Sequence, residues 1–196
     1  DAIAARLALA DADAAKAAEL ADGAFATLLE PDDMRVRERN WLTLVQAEIA
    51  SGRLRDASAR VDRVETLRDA SPTPAARLYA SLVSAELARA QRNDAAARVA
   101  FESAQAEAES DRVPLDIVTA AEAYAGWLIE TGDLAAASAV VERVAPWTTQ
   151  SYRASLLPVR LYHAAGLASA WSAALDRAQR LAGERHVPDA IASPPR

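Results

Sequence analysis

The chain has 196 residues, 22 of them basic and 28 acidic, and its formal net charge of −6 argues against direct contact with nucleic acid, which needs a basic face. It has no cysteine, which excludes disulfides and thiolate metal sites. Alanine supplies 51 of its residues and favours helix over strand, so we expect an all-α protein.

The predicted elements are pairs of helices joined by short turns. One turn follows Gly52, where a left-handed residue would close the helix, and residues 91–94 and 131–133 mark two more. Pro74 and Pro114 stand where helices should begin, a position that tolerates proline. We expect helical hairpins at about residues 1–30, 33–70, 74–110, 114–146 and 150–185.

The C-terminal part of the chain is less regular than the rest. In the fifth hairpin, Pro158 lies four residues beyond the expected helix start and Arg177 occupies a position that is alanine in the other hairpins. The last stretch, 186–196, carries three prolines and is predicted to be a flexible tail. The chain begins at Asp1 within a helical pattern, so we expect it to be part of a longer protein.

Residues 40 positions apart share size and polarity. Four series show this: Ala17, Ala57, Ala97 and Ala137; Ala5, Val45, Ala85, Ala125 and Ala165; Leu7, Ala47, Leu87, Trp127 and Leu167; Ala21, Val61, Phe101, Val141 and Leu181. One hairpin cannot bury such a face alone, so neighbouring hairpins must cover it. We therefore expect residues 1–185 to form one right-handed α-solenoid with a concave and a convex surface.

The second and fourth hairpins share a motif: an aromatic, then a small residue, a glycine-polar turn, an alanine and a bulky apolar residue. These residues are Trp41, Val45, Gly52-Arg53, Ala57 and Val61, then Tyr124, Ala125, Gly132-Asp133, Ala137 and Val141. At these positions the chain resembles the tetratricopeptide-like repeats. It departs from them where the third hairpin lacks the turn glycine and where Ser81 and Ala121 replace the aromatic.

The period of 40 exceeds the ~34 usual for that family. It is similar to that of the tetratricopeptide-like sensor domains of large bacterial transcription activators of the maltose-regulator type. HEAT and armadillo arrays also have periods near 40 and are the alternative interpretation.

Few residues suit catalysis or metal binding. The two histidines, His163 and His186, have no acidic or second histidine neighbour at metal-ligand spacing, and no nucleophile or phosphate-loop motif occurs. The acidic residues 102–111 are interpreted as a solvated helix face. We expect no enzyme activity, no cofactor and no metal.

Arginine is concentrated between Arg35 and Arg68. Because guanidinium pairs bidentately with carboxylate and phosphate, this region is a candidate site for an acidic or phosphorylated partner. The alternative is a helix surface with internal salt bridges to nearby Asp and Glu.

The family resemblance implies that a peptide would bind in a concave groove lined by the first helix of each hairpin. By register, the candidate groove residues are Arg39, Gln46, Ile49, Tyr79, Glu86, Arg89 and Glu122, with Leu42, Leu82, Thr119 and Ile129 beside them. Trp147 and Trp171 are either core residues or contacts to a neighbouring domain or second subunit.

The function expected from these features is a non-catalytic scaffold that binds a protein or peptide partner, or another domain of the same chain. The first alternative is the C-terminal sensor domain of a bacterial transcription regulator or signalling kinase whose output domain precedes residue 1. An accessory subunit of an enzyme complex is the second. No run of apolar residues is long enough to insert in a membrane, and we expect a cytoplasmic protein, with the periplasm as the open alternative.

Overall fold

The computed structural model describes residues 4–5, 8–9, 13, 15–17, 19–20, 23, 34–70 and 72–195, with residues 34–37 described by their backbone alone. Every regular element in these residues is helical, and they contain no strand, which confirms the all-α prediction for this part of the chain. The chain divides into two compact units, Asp1–Asp111 and Arg112–Arg196.

From residue 34 onward, the first unit contains α1 (Met34–Ala50), α2 (Leu54–Ala70), α3 (Pro74–Ala90) and α4 (Asp94–Asp111). The second unit contains α5 (Pro114–Glu130), α6 (Leu134–Arg143), a 3₁₀ turn (Ala145–Trp147), α7 (Tyr152–Ala164), α8 (Ala168–Ala182) and α9 (Asp189–Ala192). Most of the predicted first hairpin, residues 1–30, lies outside the described residues.

The same packing pattern occurs in both units. In the first unit, α3 packs on both α1 and α2, and in the second, α7 packs on both α5 and α6. The first helix of one hairpin therefore covers the preceding hairpin, as a stacked repeat requires.

The turns after α1, α3 and α5 share one backbone conformation. Gly52 and Gly132 have φ of +77° and +81°, and Arg92 takes the equivalent position with φ of +58°. The following amide donates back to the closing turn of the helix in each case, for example Asp133 N to the carbonyl of Leu128 at 2.8 Å. The third hairpin thus keeps the turn without the glycine, and Arg92 bears the steric cost of the left-handed conformation.

Two of the series spaced 40 residues apart are buried in the first four hairpins. The alanine series Ala17, Ala57, Ala97 and Ala137 is fully buried, and so are Ala5, Val45, Ala85 and Ala125. In the first unit, Ala5 and Ala17 pack in one cluster with Leu44 and Ala47. Alanine allows the helices to approach closely at these points.

The fifth hairpin departs from the expected register. Leu167, predicted in the core, is 52% exposed, and Ala165 and Leu181 are only half-buried. The cause is the turn glycine, because Gly166 has φ of +68° and turns the chain six positions before the place that the period predicts from Gly132. Gly166 lies 34 residues after Gly132. At the same spacing of 34, Val159 corresponds to Ala125 and Leu175 to Val141, and both Val159 and Leu175 are buried.

The C-terminal stretch, predicted to be a loose tail, is docked on α7 and α8. Val187 and Ile191 pack against a cluster that contains the buried Trp171, whose indole Nε1 donates to the carbonyl of Ile191 at 2.9 Å. Tyr152 Oη donates to the carbonyl of His186 at 2.7 Å. The prolines prevent a long helix, but the apolar residues between them still find a surface to bury.

Candidate functional site

The first helices of the first unit are joined by polar side chains. Arg39 Nε on α1 donates to Tyr79 Oη on α3 at 3.3 Å, and Gln46 Nε2 donates to Glu86 Oε1 at 3.0 Å. Both pairs join residues 40 positions apart. Arg89 Nη1 binds the other oxygen of Glu86 at 2.9 Å. Five of the seven predicted groove residues are therefore partners of one another.

Burial separates these residues into two groups. Tyr79 and Glu86 are buried, so little of their surface is available to a partner. Arg39, Gln46 and Ile49 are half-buried and Arg89 is exposed. Leu42, Leu82 and Thr119, which the sequence places beside the groove, are buried as well.

The second unit has a corresponding contact between its first helices. Glu122 on α5 accepts two bonds at Oε2 from Arg153 on α7, from Nε at 3.1 Å and from Nη2 at 2.6 Å. Its Oε1 accepts from Arg160 Nη1 at 3.3 Å. One carboxylate thus holds two guanidinium groups, and all three side chains keep part of their surface exposed.

Sequence reasoning selected Glu122 but not Arg153 or Arg160. The sequence does carry a clue, because two arginines seven residues apart on one helix share a face. The spacing of 40 residues that predicts the groove positions of the earlier hairpins does not hold for α7, because the fifth hairpin turns early, at Gly166. Arg153 and Arg160 therefore did not fall at predicted groove positions. Whether the seven candidate groove residues contact a partner remains a prediction.

A shallow groove of about 650 Å³ lies over α3 between α2 and α4. Ser81 and Ser84 form its floor, and at 3.6 residues per turn they lie across α3 from Tyr79 and Glu86. Its lining residues are small or polar except for one exposed valine: Glu65, Arg68, Ser81, Ser84, Asn93, Ala95, Ala96, Val99, Ala100 and Ser103. The groove therefore lies on a different side of α3 from Tyr79 and Glu86, the residues that pair with α1.

The arginine-rich region is partly neutralised by its own acidic neighbours. Arg60 binds Glu48, and Arg68 lies 2.9 Å from Asp69. The hydrogen bond to Asp69 raises the pKa of Arg68, so this guanidinium stays charged. These contacts favour the salt-bridged interpretation for the arginines that make them.

The described part of the chain contains neither a metal-binding cluster nor a membrane-spanning helix. No group of three or more His, Asp or Glu side chains there is arranged to hold a metal ion. None of the helices described combines the length and apolarity needed to cross a bilayer. His163 is a half-buried helix residue whose ring lies 6.4 Å from that of Trp171.

Comparisons of the chain with protein-family models, with curated proteins and with solved structures find no match.

Proposed function

We propose that this chain is a non-catalytic interaction scaffold that binds a peptide or a partner domain along the first helices of its hairpins. The observation that supports this most is the pairing of first helices, α1 with α3 and α5 with α7, through polar side chains on one side. Such a surface is formed before any partner arrives.

A binding surface whose side chains are already ordered loses less entropy when a partner binds. Binding costs free energy for each side chain or loop that must be immobilised, at roughly 0.5–1.5 kcal/mol per flexible side chain. In this chain, Gln46 is already held by Glu86, and Arg153 and Arg160 by Glu122. A partner that uses these groups would meet side chains already fixed in place.

The proposed architecture is a tetratricopeptide-like, right-handed solenoid of about five hairpins. Three observations support it: the hairpin stacking within each unit, the left-handed turns at equivalent positions, and the shorter spacing from Gly132 to Gly166. That last spacing equals the ~34 residues usual for the family.

A site-specific photo-crosslinking experiment tests the function. Benzoylphenylalanine would be placed at Ile49 on α1 or at Ile129 on α5, which are equivalent positions in the repeat and both half-buried. Matched controls are Ala106 on α4 and Ala173 on α8, which are exposed on second helices. We expect one discrete adduct in the producing cells from the first-helix positions alone. Equal labelling at all four positions, or none at Ile49 and Ile129, contradicts the proposal.

The groove over α3 supports a second candidate, the sensor domain of a bacterial transcription regulator or signalling kinase. Its volume of about 650 Å³ is within the range of small-molecule sites, roughly 300–1,000 Å³. An effector found by thermal-shift screening should stabilise the parent but not a Ser84→Trp variant, whose indole fills the floor. An Ala106→Trp control should keep the response. An effector that stabilises the Ser84→Trp variant equally rules this site out.

A further inference from the structure

One surface of the second unit combines charge and exposed apolar groups, and we name it the α5–α7 face. It consists of Leu115, Glu122 and Ile129 on α5 and of Arg153 and Arg160 on α7. The three α5 residues are spaced seven apart and therefore share one stripe of the helix. Leu115 is exposed and Ile129 half-buried, so both ends of the stripe offer apolar surface.

The two arginines have more donors than Glu122 uses. A guanidinium has five N–H donors. Arg153 uses Nε and Nη2, and Arg160 uses Nη1 alone. Within the described residues, Arg153 Nη1 and the Nε and Nη2 of Arg160 have no hydrogen-bond partner. The side chains are 43% and 32% exposed, so these donors are within reach of a ligand.

We propose that Arg153 and Arg160, held together by Glu122, bind the side-chain carboxylate of an acidic peptide at the α5–α7 face. This inference rests on the proposed scaffold function and specifies its partner. Glu122 already brings both guanidiniums to one carboxylate, and a second carboxylate on the solvent side can bridge them in the same way.

Charge favours a carboxylate over a phosphate. Two arginines and one glutamate give this cluster a formal charge of +1, in a unit whose eight arginines balance eight Asp and Glu residues. A carboxylate of charge −1 neutralises the cluster. A phosphate of charge near −2 would leave an excess negative charge beside Glu122. The acidic peptide is thus the better match.

The apolar ends of the face define the rest of the partner. Seven residues of helix rise roughly 10 Å, which separates Leu115 and Ile129 from Glu122 by that distance on either side. A peptide in the polyproline II conformation rises about 3.1 Å per residue with three residues per turn, so side chains three residues apart lie on one side and roughly 9 Å from each other. The expected pattern is an acidic residue with a leucine-like residue three positions before it and three after.

Three synthetic peptides serve as probes, each blocked at both ends and carrying a fluorescent label. The first is Leu-Ser-Ser-Glu-Ser-Ser-Leu, and the others replace its glutamate by glutamine or by phosphoserine. Fluorescence anisotropy at low salt measures the Kd of each for the whole chain. We expect the glutamate peptide to bind at least about tenfold more tightly than the glutamine peptide, because only its carboxylate carries a charge opposite to the guanidiniums and offers two acceptor oxygens.

Variants of Arg153 and Arg160 test whether these two side chains bind the carboxylate of the peptide. Arg153→Gln with Arg160→Gln should abolish the preference for glutamate over glutamine. The matched control, Arg177→Gln with Arg180→Gln, changes the charge equally at exposed positions of α8 and should keep it. Should the double variant misfold by circular dichroism, Arg153→Lys with Arg160→Lys replaces it and should weaken the preference, since lysine lacks the planar fork. A Leu115→Ser variant should weaken both the glutamate and the glutamine peptide.

The inference is overturned if no probe binds, if the parent binds the glutamate and glutamine peptides equally, or if the double glutamine variant folds and keeps the preference. Tighter binding of the phosphoserine peptide than of the glutamate peptide overturns it too, and identifies a phosphate site. The scaffold function is judged separately by crosslinking at Ile49 in the first unit. If the peptide does not bind but Ile49 still crosslinks, the acidic-peptide site is wrong and the scaffold function stands. If the peptide binds as expected but Ile49 does not crosslink, the site stands and the scaffold function of the first unit does not.

Discussion

A buried ion pair in the first unit allows a quantitative test of the repeat. Glu48 on α1 is fully buried and accepts from Arg60 Nε at 2.8 Å and from Arg60 Nη2, both at Oε1. Its Oε2 has no hydrogen-bond partner among the described residues. The equivalent positions of the fourth hairpin, two periods later in the sequence, hold the buried apolar residues Leu128 and Val140. The pair thus stands where another hairpin has a hydrophobic contact.

Two substitutions should therefore have opposite effects. Arg60→Ala leaves the Glu48 carboxylate buried without its counter-charge, which typically costs about 3–5 kcal/mol. Arg60 is 14% exposed, so water reaches the pair in part, and we expect a cost near the lower end. Glu48→Leu with Arg60→Val copies the fourth hairpin. Replacing a buried ion pair by apolar residues is often neutral or stabilising by roughly 1–4 kcal/mol, so this variant should equal or exceed the parent.

Hydrogen–deuterium exchange measured helix by helix is the suitable assay, because the chain has two compact units. A cost near 3 kcal/mol lowers amide protection in α1 and α2 by roughly a hundredfold, since each 1.4 kcal/mol is a factor of ten. The control is Arg63→Ala, an exposed residue on α2 that should change stability by less than about 0.5 kcal/mol. An Arg60→Ala variant as stable as that control, or a double variant less stable than Arg60→Ala, would contradict the prediction.

Three further predictions concern packing and backbone. Ala137→Leu should cost roughly 1–3 kcal/mol by overpacking a fully buried position, whereas Ala135→Leu, exposed on the same helix, should be nearly neutral in thermal denaturation. Arg92→Gly should raise the free energy of unfolding by about 0.5–1 kcal/mol, because glycine adopts the positive φ without strain. Gly132→Ala should lower the free energy of unfolding by about 1 kcal/mol for the same reason. A change in the same direction for both variants would contradict this account. Trp171→Phe removes the indole bond to α9 and should make the C-terminal stretch faster to cleave by protease, while unchanged cleavage would mean that this bond does not hold it.

Turn chemistry shows how far the sequence could predict the fold. The sequence predicts turns at Gly52 and at residues 131–133, and both are confirmed; Gly52 and Gly132 take the left-handed conformation that glycine adopts without steric cost. Arg92 has no such preference, and only the repeat period, which places it midway between the two glycines, locates the third turn. The same rule fails at the fifth hairpin, where the chain turns at Gly166. A period is reliable only while the helix lengths remain constant, and α7, with 13 residues, is shorter than α5, with 17.

The candidate site was less predictable than the fold, for a physical reason. Register places Gln46 and Glu86 at equivalent positions on successive first helices, which suggests two separate surface residues. Whether they bond depends on the distance between the helices, which packing of the small residues beneath them determines. The fully buried Ala47 on α1 and Ala85 on α3 are small enough to allow a close approach, and Gln46 and Glu86 beside them reach one another.

The pairing of polar side chains between neighbouring helices also determines where a partner can gain binding energy. A ligand that approaches Glu86 must compete with bonds that the buried carboxylate already makes to Gln46 and Arg89, so it gains little. At the α5–α7 face the internal carboxylate satisfies only part of two guanidinium groups, and both arginine side chains are partly exposed. An acidic ligand there adds bonds without breaking any. The α5–α7 face of the second unit therefore has a stronger chemical basis for recognising a partner than the paired first helices α1 and α3 of the first unit.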